Sequence, residues 1–157
     1  MTTASIQEIK KELRSHDADS LQELCMRLAK YKKENKELLN YLLFEAHNEQ
    51  AYVENVKEEI RGLFKTVPAS NVYFIKKSLR KILRIVNKQI KYSGIKRTEL
   101  ELRIFFCTEV RQAKIPMAVG TVLFNLYRQQ LKKIESALAK LPEDIQTDYN
   151  RELKLIS

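Results

Sequence analysis

The sequence predicts an all-α protein, and three observations carry that prediction. Gly and Pro are scarce, three each in 157 residues, so the chain lacks the turn formers that many hairpins need. Its commonest residues, Leu, Lys, Glu, Ile, Ala and Arg, are mostly good helix formers. Helix-start signatures recur: Ser5-x-x-Glu8, Ser20-x-x-Glu23 and Thr98-x-x-Glu101 each fit a capping box, in which two side chains satisfy each other's free backbone N–H. A chain of this length closes one hydrophobic core. No linker or low-complexity run interrupts it, so a single helical domain over 1–157 is expected.

Taken in order, these signals place helices at 5–15, 20–31, 34–47, 49–65, 70–92, 98–113, 117–140 and 143–155. The first two open at Ser5 and Ser20. The break before the third is weakly marked, because Tyr31-Lys-Lys-Glu-Asn-Lys also suits one continuous helix. Gly94, just after Ser93, is a natural stop for the fifth. In the sixth, Leu100, Leu102, Ile104 and Phe106 alternate as a strand would. The cap at Thr98 and the lack of any partner strand favour helix. Being apolar on several sides, that helix is expected to be central and enclosed. Pro116 and Pro142 suit first turns, where a missing N–H costs nothing, and Glu143 and Asp144 favour the positive end of the last helix.

Seven or eight short antiparallel helices with short links admit two architectures. One is a stacked α-α array of the HEAT or armadillo kind, although no repeated motif is visible. The other is an irregular helical bundle. Phe124, Tyr127, Leu131, Ile134, Leu138 and Leu141 step by three and four. The seam is too short for a coiled coil; it predicts packing inside the domain or a modest homodimer contact.

Charge is the most localised feature. Between Gly62 and Thr98 stand ten basic residues and no acidic one, while the remaining chain carries 19 basic against 20 acidic residues. On a helical wheel Lys76, Lys77, Arg80, Lys81, Arg84, Lys88 and Lys91 fall in an arc of roughly 140°, and Ile75, Leu79, Ile82, Leu83, Val86 and Ile90 in an opposite arc of roughly 100°. The apolar arc is predicted to pack on the domain and the basic arc to face water. Surface helices ordinarily mix signs, because like charges four apart repel. Either Glu54, Glu58, Glu59, Glu99 or Glu101 neutralises this face from neighbouring helices, or an external polyanion does.

The predicted polyanion-binding residues are Lys76, Lys77, Arg80, Lys81, Arg84, Lys88, Lys91, Lys96 and Arg97, with Tyr73 and Tyr92, beside Phe74, placed to stack on single-stranded bases. Nothing suggests base readout, so nucleic-acid binding would be sequence-tolerant. A weaker basic group, Arg27, Lys30, Lys32, Lys33 and Lys36, is interrupted by Glu34.

Catalytic constellations are missing from the sequence. His16 reads as a turn residue. His47, in Glu45-Ala-His47-Asn-Glu49, fits neither Glu-x-x-His nor His-Glu-x-x-His and reads as a helix C-terminus. There is no Gly-rich phosphate loop and no nucleophile elbow. Cys25 and Cys107 sit in apolar stretches without metal-ligand spacing and are expected to be small buried hydrophobes in a reducing compartment. No signal pattern opens the chain. The longest charge-free apolar stretch, Ile115 to Tyr127, is thirteen residues, too short to span a bilayer. The sequence therefore predicts a cytoplasmic, non-enzymatic module with no cofactor and no metal, binding nucleic-acid backbone. An adaptor for an acidic protein is the alternative, and an enzyme with an unrecognised site the minor one.

Overall fold

A computed structural model describes residues 1–157. All of the regular structure is helical: α1 (Ile6–Leu13), α2 (Ala18–Tyr31), α3 (Lys33–Asn40) continuing into a π-helical stretch (Tyr41–Glu45), α4 (Glu49–Phe64), α5 (Val72–Ser93), α6 (Lys96–Gln112), α7 (Val122–Ala139), α8 (Glu143–Asp148) and α9 (Asn150–Ile156). The chain divides into two compact units, 1–44 and 45–157.

In the first unit α1 opens with the predicted capping box. The Ser5 hydroxyl accepts from the Glu8 N–H at 3.2 Å, and the Glu8 carboxylate accepts from the Ser5 N–H at 2.7 Å. The helix break after Tyr31 is real, since Lys32 is extended at φ −140°, ψ 144°. α2 and α3 then pack on each other, and the Asn35 side chain donates to the Leu28 carbonyl at 2.8 Å. Tyr41 is the one buried residue of this unit.

In the second unit α6 is the enclosed helix that its sequence predicts. It packs against α4, α5, α7 and α9, and it buries Leu100, Leu102, Ile104, Phe106, Cys107 and Val110. The Phe64 and Phe106 rings meet at 5.6 Å. The core polar groups are fully matched. Arg103, 5 % exposed, gives Nε and Nη2 to one Glu99 oxygen at 3.1 and 3.0 Å and Nη1 to Asn87 and Gln130 at 3.0 Å each. One side chain thus joins α5, α6 and α7.

Several helix starts differ from prediction, each for a local reason. α2 begins at Ala18, because Asp17 supplies the cap, its carboxylate accepting from the Ser20 N–H at 2.8 Å. A carboxylate at a positive helix end outcompetes the Ser20 hydroxyl. α6 begins at Lys96. Thr98 is buried inside it and gives its hydroxyl to Glu49 at 2.7 Å rather than capping. Pro116 does not open α7; Gly120 at φ 85° turns the chain, and Thr121 caps the helix from Val122. The last predicted helix is two, broken at Tyr149, whose hydroxyl donates to Glu101 and accepts from Arg97 Nε, both at 2.9 Å. The seam on α7 faces inward: Tyr127 and Ile134 are buried, and Phe124, Leu131 and Leu138 half-buried, as is Leu141 just beyond the helix.

Leu79 on α5 is 1 % exposed. Leu79→Ala is expected to lower unfolding free energy by about 2–5 kcal/mol, measured by denaturant titration, through lost burial and a residual cavity.

Candidate functional site

α5 starts where the Asn71 side chain accepts from the Phe74 N–H at 3.2 Å. It ends where Gly94 turns left-handed at φ 69° and its N–H reaches the Ile90 carbonyl at 2.9 Å. Left-handed backbone there favours a residue without Cβ. Between these caps the buried residues are Ile75, Leu79, Ile82, Leu83, Val86 and Ile90, the six of the predicted apolar arc.

The opposite face is water-facing and basic. Lys77, Arg80, Lys81, Arg84 and Lys91 are exposed and take part in no ion pair or hydrogen bond within the chain. Lys76 is half-buried, its ammonium 5.6 Å from the Tyr73 ring centroid. Lys88 is half-buried and partnered. Lys96 and Arg97, at the start of α6, differ from the row: Lys96 pairs with Glu99 at 3.3 Å, and Arg97 with Glu101 at 3.5 Å and with the Tyr149 hydroxyl.

Four of the five nearby carboxylates are engaged elsewhere. Glu54 pairs with Lys57 at 3.5 Å, Glu58 with Arg61, and Glu101 with Lys57 at 3.7 Å as well as Arg97. Glu99 holds Arg103 and Lys96. Glu59 pairs with no α5 cation. Burial pushes the Glu99 carboxyl up, but the hydrogen bonds and charges of Arg103 and Lys96 outweigh it and hold it below its ordinary range.

Two aromatic side chains stand at the N-terminal end of the row. Tyr73 is 60 % and Phe74 49 % exposed, their rings edge-to-face at 5.3 Å. Tyr92 is half-buried and partnered. At the C-terminal end the surface dips into an open pocket of about 450 Å³ lined by Asn87, Lys91, Lys96, Glu99, Arg103 and Lys133. Lys133 comes from α7, and no local spacing in the sequence could have joined it to Lys91.

The remaining reactive residues are scattered. No three His, Cys, Asp or Glu side chains gather as a metal-binding set. His16 is half-buried, hydrogen-bonded to Ser20 at 2.7 Å and 3.6 Å from Glu12. His47 is exposed in the turn before α4. Cys107 is buried, and burial pushes its thiol up to about 12 against the opposing pull of Arg103 and Arg111. Cys25 is exposed, contrary to the expected burial, because the α2–α3 pair leaves its groove open. No helix is long and apolar enough to cross a membrane. No protein-family model, curated protein or solved structure matches the chain.

Two outcomes test this geometry. Arg84→Glu turns repulsive neighbours into attractive ones, so thermal stability is expected to hold or rise by a few tenths of a kcal/mol per pair; a marked loss would mean the face is packed. A carboxyl whose pKa is depressed by folding stabilises above its ordinary value of 4.5, and that stability is lost as pH falls through the folded value. Glu99→Gln is therefore expected to flatten the acid limb of a stability–pH profile below that value.

Proposed function

We propose that the chain is a binding module, working in the cytoplasm, that holds a polyanion on the exposed face of α5, and that the polyanion is nucleic-acid backbone bound without sequence preference. The observation that carries this reading is the row Lys77, Arg80, Lys81, Arg84 and Lys91, exposed and unpaired while Glu54, Glu58, Glu99 and Glu101 serve other cations. Unpaired cations four apart repel. A row of phosphates relieves that repulsion and releases its own counterions, which favours binding at modest salt.

Tyr73 and Phe74 favour single strands over a purely acidic protein partner. Exposed aromatic faces at the head of a basic row let unpaired bases stack while phosphates follow the cations, and stacking tolerates any base. Lys96 and Arg97 contribute less in this reading, since each already holds a carboxylate. An acidic polypeptide would use the cations and leave the aromatic pair idle.

The test is binding of a short single strand across a salt series. A log–log slope of roughly −3 to −4 is expected if about four cations engage. Arg80→Glu, Lys81→Glu and Arg84→Glu together are expected to abolish binding with helicity intact. Tyr73→Ala with Phe74→Ala is expected to weaken single-strand binding by about tenfold while sparing binding of an acidic peptide. No binding at low salt removes the nucleic-acid reading.

A further inference from the structure

Residues 1–44 form a compact unit with almost no interior. They carry twelve of the nineteen exposed large hydrophobic side chains of the chain, against a single buried residue, Tyr41. A unit this small ordinarily needs a disulfide, a metal or an oligomer to supply the missing burial. Its one cysteine is free, and no metal-binding set exists.

α2 presents an apolar edge of Leu24, Leu28 and Tyr31, 38 %, 62 % and 77 % exposed, on one helical face. Charge along the same helix is divided. Asp19 and Glu23 occupy the first half; Arg27 and Lys30 follow. Asp19, Glu23, Arg27 and Lys30 make no ion pair within the chain, although Glu23 and Arg27 stand four apart. Glu23, Met26, Arg27 and Lys30 line a shallow depression of about 340 Å³ beside that edge.

We infer that α2 pairs antiparallel with α2 of a second copy of this chain, about a two-fold axis near Cys25 and Met26. A two-fold contact uses the same patch twice and must be self-complementary. Antiparallel pairing meets that demand: it sets Leu24 toward Leu28 of the second copy, Glu23 toward Arg27, and the acidic half of each helix along the basic half of the other. A parallel pairing sets like charge on like. A uniformly acidic or uniformly basic foreign helix meets its own sign over half the surface, which like-charge juxtaposition penalises. The chain's own α2, reversed, has the matching order. This inference is independent of the polyanion reading, which rests on α5.

The test is the solution mass of the full chain by light scattering or sedimentation across a concentration series. Twice the chain mass is expected. Leu28 is 62 % exposed, so Leu28→Glu is expected to keep the helicity of the chain, checked by circular dichroism, and to raise the dimer dissociation constant by about tenfold or more. Glu23→Lys and Arg27→Glu are each expected to weaken the dimer, and an equal mixture of the two variants to restore it as a heterodimer. Cys25 is the one exposed thiol, Cys107 being buried. A short bis-maleimide is therefore expected to join two copies through Cys25, and not in Cys25→Ser. A single-chain mass at every concentration overturns the inference, whether the apolar edge is covered by the chain itself or kept for a foreign partner. So does a dimer indifferent to Leu28→Glu and to both charge reversals, which would place the contact elsewhere, or one that fails to cross-link through Cys25.

Discussion

Six aliphatic side chains fix the rotation of α5 about its own axis, and the functional reading follows from that. Ile75, Leu79, Ile82, Leu83, Val86 and Ile90 are each no more than 9 % exposed. Burying each contributes about 1.5–3 kcal/mol. The repulsion among like charges on the opposite face sums to about 1–2 kcal/mol at low salt. Burial wins by a wide margin, so the helix cannot rotate to disperse its cations. They stand in water because the apolar arc leaves them nowhere else to go.

The second constraint is where the carboxylates went. Glu99 is committed to Arg103, which ties α5, α6 and α7 through Asn87 and Gln130. Glu101 serves Lys57, Arg97 and the Tyr149 hydroxyl, and Glu49 accepts from Ser93 and Thr98 where α4 meets the α5–α6 turn. Leaving the buried Arg103 charge alone costs several kcal/mol, so Glu99 is not free to swing toward α5. The core thus consumes its negative charge internally, and the surplus of positive charge stays concentrated on one face.

Much of this was legible in the sequence. The segregation of α5 into two arcs needs only the 3.6-residue period, and each of its predicted inner residues is buried. The stop at Gly94 and the capping box at Ser5 follow from chemistry within four residues. What sequence misread depends on tertiary partners. Thr98 matched a capping box but is drawn inward by Glu49, and Tyr149 breaks a helix to reach Arg97 and Glu101. Lys133 joins the pocket at the end of the basic row from another helix. Cys25 looked like a core residue because it sits in an apolar stretch; the groove it lines is open.

Residue-resolved lysine acylation, read by mass spectrometry with and without a short single strand, tests the central claim most directly. In the free protein Lys77, Lys81 and Lys91 should react as fast as unhindered lysines, and Lys57, held between Glu54 and Glu101 and 21 % exposed, more slowly. Adding the strand should protect the three α5 lysines and leave Lys57 unchanged. Slow acylation of those three in the free protein would contradict the account, since it would mean that the basic face is already occupied from within.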